Sequence, residues 1–287
     1  MHAAKHGGRN RVCSFAENLA EERQIERALE RDLAAALVQN ELRMVYQPIL
    51  ALNPAALGAG GQDEVEALLR WHHPKLGEIP PLRFIAAAER SGQMDRLGHW
   101  IVERALADLA RWPGLTMSIN LSAMQLQQDG FVGFLIDCCR RNGIFAGQLV
   151  LEVTESLPIE RDAHALLTLE LLRRAGFRIA LDDFGTGYSS LCLLKAFRFD
   201  RLKLDRTLVC DLGCDPVARA VFEAAVTMAL KLGAEVVAEG ISEAGMLTPV
   251  REAGCTHVQG FHYSIPLEVA AVALYYAQAD EQARHVA

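Results

Sequence analysis

From Met44 onward, short apolar or β-branched runs alternate with amphipathic segments, and this alternation restricts the chain to few folds. Strands are expected at 44–52, 65–71, 115–122, 149–155, 178–183, 201–205, 235–240 and 257–260, because each run is short and bounded by turn-forming or polar residues. Helical patterns fill the gaps, for example at 95–111, 160–175, 215–232 and 243–253. Strands that alternate with helices build a parallel sheet with right-handed crossovers, and eight such units favour a closed barrel over an open sheet. One connection departs from the pattern. Residues 53–64 (NPAALGAGGQDE) are rich in Pro and Gly and too short for a crossover helix, since a parallel connection needs about a dozen residues or more. Strands 1 and 2 are therefore expected to be antiparallel, which gives an α/β barrel with its first strand reversed.

The first 43 residues read differently. Ser14-Phe-Ala-Glu17 has the S-x-x-E form of a helix-starting capping box, and Ile25, Leu29, Leu33 and Leu37 then make a narrow apolar stripe among Glu and Arg. Residues 14–40 are expected to be a connector helix that docks on a partner surface. Composition closes off other classes: with 51% hydrophobic and 23% charged residues the chain is an ordinary globular one. A net charge of −7 offers no basic field for a nucleic-acid polymer or an anionic membrane. The sequence has neither an apolar run of membrane-spanning length nor a secretory leader, so a cytoplasmic location without membrane contact is expected. Seven scattered cysteines, with no C-x-x-C pair, suggest neither a zinc site nor a disulfide frame.

Barrel enzymes carry their chemistry where the strands end, and here polar side chains recur at those ends. The runs are Ser118-Ile-Asn120, Leu151-Glu152-Val-Thr-Glu155, Leu181-Asp182-Asp183, Leu202-Lys203-Leu204-Asp205, Ala238-Glu239-Gly240 and Val258-Gln259-Gly260. Any one of these could cap a helix or form an ion pair. Together, a buried cluster of carboxylates repels itself unless cations neutralise it. Oxygen ligands without thiolates suit Mg²⁺ or Mn²⁺, and so many could hold two ions. Lys203, one of only five lysines, stands between two leucines, where it could polarise a metal-bound water or pair with one carboxylate. In Val65-Glu66-Ala67-Leu68-Leu69-Arg70-Trp71 the two-residue period puts Glu66, Leu68 and Arg70 on one face. Glu66 and Arg70 read equally as an ion pair or as a metal ligand beside a phosphate clamp. The G-x-G of Asp183-Phe-Gly185-Thr-Gly187-Tyr-Ser-Ser190 lacks the third glycine of a dinucleotide fingerprint and reads better as a loop that orders over a site. His72-His73-Pro74 has no companion ligands and reads as structural.

In order, EALLRW, SINLSA, LEVTES, DDFGTGYSSL, RLKLD, VAEG and VQG resemble the EAL domain of bacterial cyclic di-GMP phosphodiesterases over about residues 41–270. The resemblance implies a TIM-like (β/α)8 barrel with one antiparallel strand, two divalent ions (Mg²⁺ or Mn²⁺), and hydrolysis of cyclic di-GMP to linear pGpG by water attacking phosphorus in line. Carried over, it makes Glu66, Asn120, Glu152 and Asp182 ligands of one ion, with Asp182 bridging to a second held by Asp183 and Glu239. Lys203 would contact the attacking water and Gln259 would support the cluster. Arg70, Leu68 and Gln47 would bind substrate, and Glu155 would anchor the 184–191 loop. Leu204, Ile241-Ser242 and His262 depart mildly from the family pattern. A catalytically silent cyclic di-GMP receptor is the alternative reading, opposed by the completeness of this set. Residues 1–12 resemble the end of a GGDEF domain, which makes 1–13 the remnant of an upstream domain, 14–40 a connector and 41–287 the EAL barrel. An EAL–EAL homodimer is the implied assembly.

Overall fold

The computed structural model describes residues 15–52, 63–154, 162–186 and 190–286. The leader 1–13, Ser14, most of the 53–64 connection, Glu155 and the centre of the 184–191 loop lie outside them. The chain starts with α1 (Phe15–Ala36), then β1 (Leu42–Ala51), β2 (Glu64–His73), β3 (Gly77–Ile79), α2 (Pro81–Arg90) and α3 (Met94–Leu109). Next come β4 (Thr116–Asn120), α4 (Ala123–Gln127), α5 (Phe131–Asn142), β5 (Leu149–Thr154), α6 (Ala163–Arg174) and β6 (Arg178–Phe184). The last third holds α7 (Ser190–Ala196), β7 (Arg201–Leu204), α8 (Arg206–Val209), α9 (Pro216–Lys231), β8 (Glu235–Ala238), α10 (Leu247–Ala253), β9 (His257–Gln259), β10 (Leu267–Glu268) and α11 (Val269–Val286).

These strands make one sheet in the order β10-β1-β9-β8-β7-β6-β5-β4-β2-β3, and β1 also pairs with β2, which closes a barrel. From β2 through β4 to β9 neighbouring strands are parallel, whereas β1 runs against β9. The barrel with its first strand reversed is thus present. Two short strands were not expected: β3 folds back on β2, and β10 pairs with β1. Neither is long enough to display a two-residue period. Helix starts follow the expected chemistry. Asp162 accepts from His164 N and Ala165 N ahead of α6, and Asp215 accepts from Val217 N ahead of α9, with Pro216 at the first helical position.

The chain divides into two compact units. The smaller comprises residues up to Arg43 together with Arg70–Leu97. In it α1 packs on α2, with Leu29, Leu33 and Ala36 of α1 buried and Ile25 and Leu37 partly covered. Polar ties reinforce this: Arg90 Nε donates to Glu30 Oε1 at 2.8 Å, and Gln93 Nε2 to Glu30 O at 2.6 Å. His73 is structural, as its isolation in the sequence suggested. Its Nδ1 accepts from Lys75 N and Leu76 N, shaping the β2–β3 turn, and its Nε2 lies 3.3 Å from Asp32 Oδ2.

The larger unit, Met44–Leu69 with Gly98–Ala287, contains the barrel. Alternation along its strands sends Val65, Ala67, Met117, Ile119, Leu151, Val153, Leu202 and Leu204 into apolar packing, all of them buried. The other face of the same strands is polar. There Glu64, Glu66, Ser118, Glu152, Arg201 and Lys203 are all buried and bonded to one another.

Candidate metal centre at the barrel mouth

The period of two makes β2 present Glu64 and Glu66 on one face, and makes β7 present Arg201 and Lys203 likewise. The result is two layers of charge. In the layer at the strand starts, Arg201 is ion-paired with Glu64 and with Glu235, the latter at 2.7 Å, while Ser118 Oγ donates to Glu64 Oε1 at 3.0 Å. Burial would raise the Glu64 pKa, but the Arg201 charge outweighs it and holds the carboxyl below its ordinary value. In this layer Arg201 and Arg178 both face Glu64 and Glu235, so cations and acids are balanced.

The layer above it is different in kind, because one cation faces many acids. Lys203 Nζ lies 2.8 Å from Glu239, 2.9 Å from Glu152, 3.2 Å from Glu66 and 3.4 Å from Asp182. Asn120 Nδ2 donates to Glu66 Oε1 at 2.9 Å, and Gln259 Nε2 donates to Glu66 Oε2 at 2.6 Å. Gln47, on the reversed strand β1, accepts from Gln259 Nε2 at 3.3 Å and donates to Ser264 O at 3.1 Å.

Two consecutive aspartates on a regular strand would face opposite sides, so Asp183 needs a special device to join Asp182. The strand supplies one. Between the pairs Leu181–Leu202 and Phe184–Leu204 the register shifts by one residue, a bulge in β6. Within it Asp183 adopts φ 55°, a left-handed conformation uncommon outside glycine, and its N–H donates to Asp182 Oδ1 at 2.9 Å. Both carboxylates then line the same cavity.

Proton affinities follow from this crowding. Burial pushes Glu152 well above the usual carboxylate range and raises Asp182. Burial together with the Asp182 charge takes Asp183 up to about 6, and burial takes Glu239 up to about 8. Glu66 is the exception: Lys203, Gln259 and Asn120 overcome its burial and hold it below its ordinary value. Burial disfavours a charged Lys203, yet Asp182, Glu152, Glu239 and Glu66 outweigh that and keep the ammonium charged well beyond its normal range.

Carboxylate oxygens of Glu66, Glu152 and Asp182 lie within 4.8 Å of one another, as do those of Asp182, Asp183 and Glu239. The cluster could therefore hold metal. Five ionised carboxylates against one ammonium leave a net charge of −4, which a pair of divalent cations would neutralise. Two buried acceptors of the cluster, Glu152 Oε1 and Gln259 Oε1, have no hydrogen-bond partner among the described residues, and a buried orphan acceptor is costly unless a cation or water meets it. The donor set, carboxylate and amide oxygen only, fits hard cations.

Above the cluster opens a cavity of about 700 Å³ lined by Gln47, Glu66, Leu68, Asp182, Asp183, Lys203, Glu239 and Gln259. Of the residues singled out in the sequence, these eight share the cavity, and Asn120 and Glu152 are tied to them through Glu66 and Lys203. Arg70 is half-buried on β2, in the smaller unit. Glu155 lies outside the described residues. Arg206, Thr207, Glu243 and Met246 also line the cavity and were not singled out, although each follows the end of β7 or β8 within a few residues.

The EAL domain family matches residues 30–266. This chain belongs to that family. The EAL domain is 36% identical over 277 residues to a protein of Pseudomonas aeruginosa named cyclic di-GMP phosphodiesterase NbdA, covering 95% of this chain and 35% of that one. It is also 36% identical over 274 residues to the bifunctional diguanylate cyclase/cyclic di-GMP phosphodiesterase MucR of the same organism, covering 93% of this chain and 39% of that one. The chain thus spans little more than a third of the length of these relatives. A solved structure described as PaMucR phosphodiesterase in complex with c-di-GMP superimposes with TM-score 0.77 at 34% identity, covering 85% of this chain and 99% of that one.

Proposed function

We propose that this EAL domain hydrolyses cyclic di-GMP to linear pGpG with two divalent cations, Mg²⁺ or Mn²⁺. The observation that carries the reading is the convergence of four carboxylates on one ammonium, with Asp183 beside Asp182 and Glu239 as a fifth, at the floor of an open cavity. The name of NbdA and the cyclic di-GMP complex of MucR support the substrate.

In this reading Glu66, Asn120, Glu152 and Asp182 would hold one cation, and Asp182, Asp183 and Glu239 would hold a second. Bound there, the cations would neutralise charge at phosphorus and lower the pKa of water toward neutrality. Lys203, whose ammonium is held among these acids, would contact the attacking water. Gln259 fixes Glu66 through its amide N–H and offers the unpartnered Oε1 to the cluster, and Gln47 fixes Gln259 in turn. Arg70, four residues along β2 from Glu66, is assigned to the phosphate on the sequence pattern. Leu68 and Gln47 line the wall that meets the substrate. Stabilisation aimed at charge developing on the phosphoryl oxygens is the larger part of such catalysis.

The domain reading is 1–13 as the end of an upstream GGDEF-like domain, 14–40 as connector and 41–287 as the catalytic barrel, working in the cytoplasm and pairing with a second EAL domain. The bifunctional name of MucR supports an upstream cyclase-type partner. Among the described residues no helix is long and apolar enough to cross a membrane. A receptor that binds cyclic di-GMP without turnover is the competing reading. Incubation with cyclic di-GMP and either metal, followed by chromatography, separates the two.

A further inference from the structure

The acids assigned to the second cation, Asp183 on β6 and Glu239 one residue past β8, are each followed closely by a glycine with positive φ: Gly185 at 105° and Gly240 at 70°. The short helix α8 rests on both. A Cβ placed on Gly185 would fall inside the Leu208 side chain, and one on Gly240 would fall inside Arg206 Cβ. The backbone leading into α8 is tied to the same two strands. Asp205 N donates to Phe184 O at 3.3 Å, and Glu239 N donates to Leu204 O at 3.0 Å. The Asp205 side chain accepts from Thr207 N and fixes the first turn. The bulge that turns Asp183 into the cavity is closed on its far side by Thr186, whose N and Oγ1 both donate to Asp183 O. Leu204 at the end of β7 pairs with Phe184 and with Ala238, and α8, which follows it, spans the distance from Asp183 to Glu239.

We propose that α8 is a wedge that sets the spacing of Asp183 and Glu239, with Leu208 as a positioning residue for the second cation. The proposal rests on the two-cation reading above. Glycine is required at 185 and 240 because any side chain would push the wedge out as well as strain the backbone. Truncating Leu208 should let the Asp183 turn relax toward the space vacated, while Glu66, Asn120 and Glu152, carried on β2, β4 and β5, keep their geometry. The first cation should then be unaffected and the second weakened.

Mn²⁺ titration of the purified 287-residue chain, read by the paramagnetic resonance signal of free Mn²⁺, tests this. The wild type should bind two ions. Leu208→Ala should weaken one site at least tenfold and the other less than threefold, Leu208→Met should restore both, and excess Mn²⁺ should return kcat toward the wild-type value. Val209→Ala provides the control, since Val209 is fully buried in the same helix but is not among the atoms nearest either glycine. It should lower the melting temperature and leave both Mn²⁺ affinities in place. Should Leu208→Ala not fold, Leu208→Val carries the same expectation in milder form. A folded Leu208→Ala chain with two wild-type affinities overturns the wedge alone, as does Val209→Ala weakening the second site equally. A wild-type chain that binds no Mn²⁺ overturns the two-cation reading itself.

Discussion

Replacing Lys203 by Met removes the one ammonium that faces four carboxylates at 2.8–3.4 Å. At an effective dielectric constant of about 20, each such pair is worth roughly 5 kcal/mol before desolvation. The gross sum greatly overstates the effect, because the acids can take up protons once the cation is gone. Breaking a buried pair by removing one partner costs about 3–5 kcal/mol, a large share of the roughly 5–15 kcal/mol that holds a domain folded. Without metal at pH 8 the Lys203→Met chain should therefore melt on the order of 10 °C below wild type. The pH dependence has a definite sign. Acids whose folded pKa is raised, such as Glu239 from 4.5 to about 8 and Asp183 from 3.8 to about 6, bind more protons in the folded chain than in the unfolded one. Their presence makes metal-free stability fall as pH rises from about 4.5 toward about 8. In Lys203→Met the acids are pushed higher still, so the deficit against wild type should shrink as pH falls toward 5. Adding millimolar Mn²⁺ at pH 8 should recover part of the loss. Differential scanning calorimetry with and without a chelator provides the measurement. Equal metal-free melting temperatures at pH 8, or a deficit that grows on acidification, would refute the charge balance argued for the cluster.

Asp182→Asn should lower kcat by at least ~10³, about 4 kcal/mol of barrier, with the melting curve retained, and chelation should mimic it; initial-rate assays at saturating Mn²⁺ decide. Arg201→Met should destabilise the barrel by about 3–5 kcal/mol in urea unfolding, because Glu64 stays buried without its partner. In the wild type the depressed Glu64 pKa contributes stability above its ordinary 4.5 that is lost as pH falls through the folded value, so the variant's deficit should be full near pH 7 and shrink on acidification below about 4.5. Leu33→Ala, at a fully buried position of α1, should cost about 2–5 kcal/mol and raise amide exchange along Phe15–Ala36; unchanged exchange there would mean that the stripe does not hold the helix.

The barrel was legible because strand and helix periods alternate without interruption from β4 to β9, and the reversed first strand because residues 53–64 cannot hold a crossover helix. The acids were legible as polar breaks in apolar strands. What the pattern concealed is how they meet. Arg201 stands in the same alternation as Lys203, yet only the closed barrel shows that it neutralises Glu64 on a lower layer, leaving Lys203 alone with the acids above. Asp182-Asp183 reads as a pair with opposed faces until the bulge in β6 brings both into one cavity. Gln47 carries no signal of its own, since a glutamine in an apolar strand gains meaning only when Gln259 arrives from the far end of the sequence. Gly185 and Gly240 likewise look like ordinary turn glycines until α8 is seen lying on both.

The measurement that bears most directly on the whole account is product identification after the purified chain is incubated with cyclic di-GMP and Mg²⁺ or Mn²⁺. Linear pGpG should accumulate with either metal, disappear with a chelator, and be absent for Asp182→Asn. A folded, metal-loaded wild-type chain that returns cyclic di-GMP intact would contradict hydrolysis and leave a binding domain in its place.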